Sequence, residues 1–589
     1  MSPVQHTPPR PAALRTLPIA CLLALAALPA PSPAAQLTLA SCKLPGLERE
    51  ARCGTFEVYE DRAAARGRKI ALRVVVLPAV GPERAPDAMF YFEGGPGMSA
   101  VASTPDIADE WAEINASRDI VIVDVRGTGQ SNGLQCPNLQ QTEGVLGFLE
   151  SFLPVPGVES CRAAAEKRAD LKLYTTALAV DDVDDVRAAL GYERIDVGGG
   201  SYGSFAALTY LRRHPEHVRT VAVQGVVPPN ARLPLQFARD AQTALDQVIA
   251  ACDHDTACRA AFPDVAGDIE RTLGRLEKNP APATVRAANG ERVEFKLSRS
   301  AAAQSLRYML YSPMTAAQIP LQAHLAAGGD VSPLAETAFV FGGMMSDTSD
   351  GYYLSVTCSE DVPFFTDAEA AAAAKETFLG NFRVHAQRAA CAVWPRGDAA
   401  DVNQPLRSNT PVLLISGERD PVTPARDAAA MTKDLPHALH LVVPGGAHGM
   451  AGLGAGPCLS GIVSRFVASG SEQGLDTACL AKIAPLAFVL TDTRAPEIDV
   501  PASTLDRYAG TYAGEKGGEL IVRRKGDHLE VSFGEGDANG LSAVTPTRFS
   551  VNGLPPGFFV EFLLEGNAVT GVRLEAGPTD VHVLQRRKG

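Results

Sequence analysis

The 589-residue chain has little of what nucleic-acid-binding and membrane proteins are built from. It contains no basic run, and 54 lysines and arginines against 67 aspartates and glutamates leave a formal charge of −13. That balance argues against a polyanion or an anionic lipid surface as partner. There is no heptad repeat, and beyond the N-terminus no apolar stretch reads as a membrane span. Neither a C-x-x-C pair nor a His/Cys cluster with zinc spacing occurs, so the sequence predicts no metal centre.

What is present begins with an export signal over residues 1–35. Arg10 and Arg15 supply its charge, Leu17 to Leu28 its apolar stretch, and the small residues at Ala34 and Ala35 a cleavage site. The cysteines agree with export. Without Cys21 ten remain, an even number that suggests disulfides. They fall into sequential pairs that each close a modest loop: Cys42–Cys53, Cys136–Cys161, Cys252–Cys258, Cys358–Cys391 and Cys458–Cys479. Leu39-Ala40-Ser41-Cys42 resembles a bacterial lipoprotein cleavage box but lies well past the apolar stretch, so a structural role for Cys42 is preferred. The expected location is periplasmic or secreted, with lipid anchoring as the lesser alternative.

The length predicts two or three domains. Short apolar strands at Ile70 to Leu77, Ala88 to Phe92, Asp119 to Val125, the run into Val197 and Thr220 to Val227 alternate with helical patterns. This implies a parallel sheet covered on both faces. Val180, Val183, Val186 and Leu190 recur at helical spacing, and Gly191 ends that helix. From 231 to 408 the chain is Ala-rich and mostly helical, with loops at Pro280-Ala281-Pro282 and Gly342-Gly343, and it reads as a lid. Pro411 to Ser416 and Leu439 to Val443 resume the sheet. The core is thus expected over 36–230 and 409–495, and a small antiparallel β domain over 501–589.

The chemistry centres on Gly199-Gly200-Ser201-Tyr202-Gly203, at the end of an apolar strand and the start of a helix. This is G-x-S-x-G in the strand–turn–helix setting of a nucleophile elbow. It predicts the α/β-hydrolase fold and a strained backbone at Ser201 that lifts its hydroxyl above the sheet. A serine hydroxyl needs a base, and in this fold the order is nucleophile, acid, histidine. Asp420 follows a strand end and His448 lies in the glycine loop after the last strand. They are the expected acid and base, with Glu418 as the second candidate acid. The oxyanion donors are expected at the N–H of Tyr202 and of Gly95, with Gly94 second. The mechanism needs no cofactor.

These residues carry a family resemblance. Gly94-Gly95-Pro96-Gly97, Asp124-Val125-Arg126-Gly127-Thr128-Gly129-Gln130-Ser131, the elbow, Asp420 and His448 together resemble the prolyl and tripeptidyl aminopeptidase branch of the α/β-hydrolases over about Cys42 to Cys479. Glu93 and Val125 depart from the prolyl pattern and look more like exported tripeptidyl-type members. The resemblance implies a serine exopeptidase acting on peptides with a free N-terminus. It also implies an acidic lid residue for the substrate ammonium: Glu360, with Asp361 and Glu93 as alternatives. An exported esterase or lipase with the same three residues is the alternative function. A binding protein is a third reading, which the intact Ser/Asp/His set disfavours.

Overall fold

The computed structural model describes residues 37–137, 139, 152–344, 348–399, 402–492, 497–514, 518–533, 538–554, 557–576 and 581–587. The export signal read over 1–35 lies outside them. Nine strands form one twisted sheet. In chain order they begin with β1 (Ala40–Cys42), β2 (Ala51–Tyr59), β3 (Lys69–Leu77), β4 (Met89–Phe92), β5 (Ile120–Val123), β6 (Ile195–Gly200) and β7 (Val218–Gln224). A hairpin of β8 (Ala281–Arg286) and β9 (Arg292–Leu297) stands apart, and the sheet then closes with β10 (Val412–Gly417) and β11 (Ala438–Val443).

The spatial order is β1-β2-β3-β5-β4-β6-β7-β10-β11. The first three strands and β5 pair antiparallel, and from β5 through β4 to β11 every pairing is parallel. Strands such as Ile120-Val121-Ile122-Val123 are apolar at every position because both faces are covered. Val121 and Val123 pack into one core with Phe90, Val197 and Val221, while Ile120 and Ile122 pack on the opposite face with Met89, Leu413 and Ile415.

The insertion between β7 and β10 has two parts. Residues 238–339 bury an apolar core of their own around Leu245, Ile269, Leu306 and Leu334. The helix Asp350–Glu360 instead sends Tyr352, Leu354 and Val356 into the main core, so it packs as part of the sheet domain. Two expected loops differ from the reading. Of Pro280-Ala281-Pro282 only Pro280 is irregular, since Ala281 opens β8, and Gly342 and Gly343 lie in the last turns of the helix Ser332–Met344.

The C-terminal region closes into an eight-stranded antiparallel barrel. Its strands are β12 (Gly510–Ala513), β13 (Glu519–Lys525), β14 (His528–Phe533), β15 (Asn539–Ala543), β16 (Arg548–Val551), β17 (Phe558–Glu565), β18 (Ala568–Ala576) and β19 (Val581–Arg586). Closure removes the unpaired edges that an open sheet of this size would expose. The barrel docks on the lid hairpin: Gly540 N–H donates to Ala288 O at 2.5 Å, and Arg292 pairs with Glu497 at 3.1 Å.

All five disulfides are formed in the sequential pattern, with Cα separations of 5.0–5.8 Å. Cys42 is bonded to Cys53, which leaves its sulfur no thiol for a lipid. Among the described residues no helix is long and apolar enough to cross a membrane.

Candidate active site

Ser201 sits between β6 and the helix Tyr202–Arg213 with φ 54° and ψ −125°. A non-glycine residue held there stores about 1–3 kcal/mol of strain, which the surrounding structure must impose. The imposing contacts are backbone ones. A Cβ on Gly203 would lie 2.0 Å from the Phe92 carbonyl oxygen, and one on Gly199 would lie 2.6 Å from that of Gly203. Only glycines let β4, β6 and the helix approach this closely. Ser201 N–H donates to Gln224 O at 3.0 Å, which ties the elbow to β7.

Asp420 follows β10 and His448 follows β11. Asp420 Oδ1 accepts from the N–H groups of Val422 and Thr423 at 2.8 and 2.9 Å. Its Oδ2 accepts from the Thr423 hydroxyl at 2.7 Å and lies 2.9 Å from His448 Nδ1. Burial works to raise this carboxyl, but His448 and the Thr423 donors outweigh it and hold Asp420 below the usual carboxylate range. The His448 ring stands edge-on to Tyr311 at 5.2 Å. It also covers Gly225, whose added Cβ would lie 3.1 Å from Cε1. Gly225 follows Gln224, whose carbonyl holds Ser201, so the imidazole lies beside the strand end that anchors the elbow. Ser201 and His448 line one cavity of about 370 Å³. Glu418, the second candidate acid, instead accepts from Gly445 N–H at 2.8 Å and braces the glycine loop that carries His448.

The turn after β4 supplies the oxyanion candidates. Gly94 N–H is taken by Glu93 Oε1 at 2.7 Å. Gly95, with φ +109°, is exposed to the cavity, and its N–H donates to no described residue. Tyr202 opens the helix after the elbow, where the first N–H groups have no carbonyl one turn earlier to bond. The Asp124-to-Ser131 motif holds this region in place. Asp124 accepts from Ser99 Oγ, Val101 N–H and Gln130 N–H, fixing the turn. Arg126, fully buried, grips Asp182 with both ends of its fork at 2.7 and 2.8 Å.

The three acidic candidates all line the cavity, with different surroundings. Glu360, 2% exposed, accepts from Thr176 N–H through Oε1 and from Thr176 Oγ1 through Oε2, both at 2.7 Å. Thr176 Oγ1 in turn lies 2.7 Å from Tyr202 OH, and Tyr202 OH lies 2.9 Å from Tyr352 OH. Asp361 Oδ1 accepts from Leu233 N–H at 3.0 Å. Burial, reinforced by the neighbouring Glu360 charge, pushes the Asp361 carboxyl well above its usual range. Glu93 holds Gly94 and, at 3.3 Å, Tyr91 OH.

Two further charged residues line the cavity, and sequence reasoning did not find them: Arg307 and Arg383. Arg307 lies in the helix Arg299–Met309 and Arg383 in the helix Phe382–Val393, each helix carrying a second arginine and no motif. Their importance depends on burial, which a sequence pattern does not reveal.

Two stretches match known family models. Residues 87–261 match that of the alpha/beta hydrolase fold, and residues 376–479 match that of a TAP-like protein. The chain is 25% identical over 481 residues to a tripeptidyl aminopeptidase of Streptomyces lividans, covering 74% of this chain and 85% of the relative. It is 24% identical over 476 residues to the serine protease Hip1 of Mycobacterium bovis, covering 74% and 88%. A solved proline iminopeptidase of Mycobacterium smegmatis aligns at 16% identity over 71% of this chain and 98% of that one, with a TM-score of 0.33. The sheet topology, the elbow and the family-model matches define the class: the chain is a serine-hydrolase-type enzyme with the α/β-hydrolase fold. Within that class it is similar to the prolyl and tripeptidyl aminopeptidase branch.

Proposed function

We propose that the protein is an exported serine exopeptidase that releases residues or short peptides from a free peptide N-terminus. The observation that carries this reading is one cavity that holds Ser201, the Asp420-bound His448 and an enclosed pair of acidic residues, Glu360 and Asp361. Ser201 attacks the scissile carbonyl while His448 takes its proton. Asp420 holds the imidazole tautomer and stabilises the imidazolium that forms. The N–H groups of Gly95 and Tyr202 receive the oxyanion. His448 then protonates the leaving amine, and water releases the acyl-enzyme by the same steps in reverse. No cofactor enters.

The substrate ammonium is assigned to Asp361, with Glu360 as its support. Both Glu360 oxygens already hold Thr176, whereas Asp361 is pushed towards its neutral form by burial and by Glu360. An arriving ammonium relieves both penalties by giving Asp361 a cation to face. An esterase pocket would have no use for enclosed carboxyls, so they favour the peptide over the ester. Export is supported by the five disulfides. The test compares chromogenic peptides with free and acetylated N-termini and short neutral esters. Turnover of free-amine peptides with loss on acetylation is expected. Full activity on acetylated peptides, or on esters alone, would replace this reading with an esterase or endopeptidase.

A further inference from the structure

Arg307 and Arg383 are 2% and 9% exposed and line the cavity that holds Ser201. Arginine stays charged in a protein, and burying a cation without an anion costs several kcal/mol. Neither has an ion-pair partner among the described residues. Arg307 Nε and Nη2, and Arg383 Nε and Nη1, find no hydrogen-bond acceptor. The contrast within the chain is Arg126, whose Nε and Nη2 are both spent on Asp182.

Stacking holds the two guanidinium groups instead. Arg307 lies 4.4 Å from the Phe237 ring centroid and 5.1 Å from that of Tyr311, and Arg383 lies 3.5 Å from that of Phe152. Arg383 also donates to Tyr353 OH at 3.0 Å. Cation–π stacking offsets part of the desolvation but supplies no counter-charge. A stacked guanidinium can also slide in its plane to meet an anion.

We infer that Arg307 and Arg383 form a carboxylate-binding end of the active-site cavity, which receives the C-terminus of a short peptide. This deepens the exopeptidase reading and rests on it. One aromatic ring, Tyr311, separates Arg307 from His448. His448 hands its proton to the leaving amine, so groups beside it face the leaving portion of the substrate. At about 3.3–3.6 Å per extended residue, a carboxylate at Arg307 ends a leaving portion of about two or three residues. With Asp361 set for the ammonium, the cavity is complementary to a zwitterion, and its substrates are oligopeptides rather than folded chains.

The experiment uses the full enzyme and pairs of short peptides that differ only in a C-terminal carboxylate or amide. A third peptide, amidated but carrying Asp or Glu in the leaving portion, separates an α-carboxylate from a side-chain one. kcat/KM is expected to be about 10- to 100-fold higher for the free acid than for the amide, mainly through KM, with a ratio near one in Arg307→Gln. The same peptides are measured as competitive inhibitors of p-nitrophenyl ester hydrolysis, a readout that does not require peptide turnover. Labelling of Ser201 by a serine-reactive phosphonate checks that the variant is folded. If the acidic side chain alone restores binding, the assignment of the C-terminus is overturned. Equal kcat/KM and equal inhibition by acid and amide in the wild type would overturn the carboxylate site while leaving the exopeptidase standing. Preferential inhibition by the acid without any peptide turnover would instead remove the exopeptidase and the inferred substrate with it.

Discussion

Glu360 and Thr176 are joined twice, by Thr176 N–H to Oε1 and by Thr176 Oγ1 to Oε2, each at 2.7 Å. The carboxylate can only accept, so the threonine hydroxyl gives its proton to Glu360 and accepts from Tyr202 OH, which in turn accepts from Tyr352 OH. A directed chain of hydrogen bonds thus runs from the first residue after the nucleophile to the end of the helix that bears Glu360. Its disruption separates structure from binding. Glu360→Gln places an amide N–H₂ where an acceptor is required and should lower folding stability by about 1–3 kcal/mol. The loss should appear in denaturant midpoints and fall on ester and peptide turnover alike. A selective loss on free-amine peptides would return the ammonium site to Glu360.

Asp361→Asn should do the opposite. It should lower kcat/KM by roughly 10- to 100-fold for free-amine peptides, about 1.4–2.8 kcal/mol, and leave neutral esters near normal. Stability measurements should show little change, since Asn can still accept from Leu233 N–H.

The same carboxyl sets a pH dependence. Burial and Glu360 raise Asp361, so protonation of the free carboxyl competes with ammonium binding. Binding that releases a proton strengthens as pH rises. KM for free-amine peptides should therefore fall with rising pH until the substrate amine itself deprotonates near about 7.7–8.0. Asp361→Asn should flatten that slope, and acetylated peptides or esters should not show it. A slope that persists in Asp361→Asn would assign the proton elsewhere.

Ser201→Ala should cut turnover by roughly 10⁴- to 10⁶-fold with an unchanged melting profile, because nucleophile, base and acid act as a unit. Phosphonate labelling mapped by mass spectrometry to a residue other than Ser201 would reject the assignment.

Gly203→Ala tests the elbow through the backbone rather than the nucleophile. Its new Cβ meets the Phe92 carbonyl oxygen at 2.0 Å, so β4 or the helix must move. About 1–3 kcal/mol of stability should be lost. A displacement approaching 1 Å should cost about 100-fold in kcat. An alanine variant with near-normal rates would show that the close approach is dispensable.

Much of this was legible in the chain because it is local. The elbow is a contiguous motif, and the strands that carry Asp420 and His448 are apolar runs that end in glycine loops. The cysteine pairs close short loops. β2 went unread because its alternation sits outside the run of motifs. The loops expected at Pro280-Ala281-Pro282 and at Gly342-Gly343 gave way to packing: β8 is held from Ala281 by its partner β9, and the helix that ends in the glycines is anchored by Leu334, Ala335 and Ala338 in the lid core. The site was half legible. Residues tied to a motif were found, but Arg307, Arg383 and the Thr176–Glu360 link depend on which side chains the fold encloses together. Glu360, flagged from the sequence, emerged with both oxygens already engaged.

The bond between Cys358 and Cys391 gains a meaning from what its two helices carry. One ends in Glu360, next to Asp361, and the other begins beside Arg383. The span between the acidic and basic ends of the cavity is therefore set partly by a covalent link through sulfur. Under the proposed reading, that link helps fix the spacing at which a substrate's two termini seat. Reduction of that one pair would then alter which peptide lengths are accepted as well as the stability of the fold.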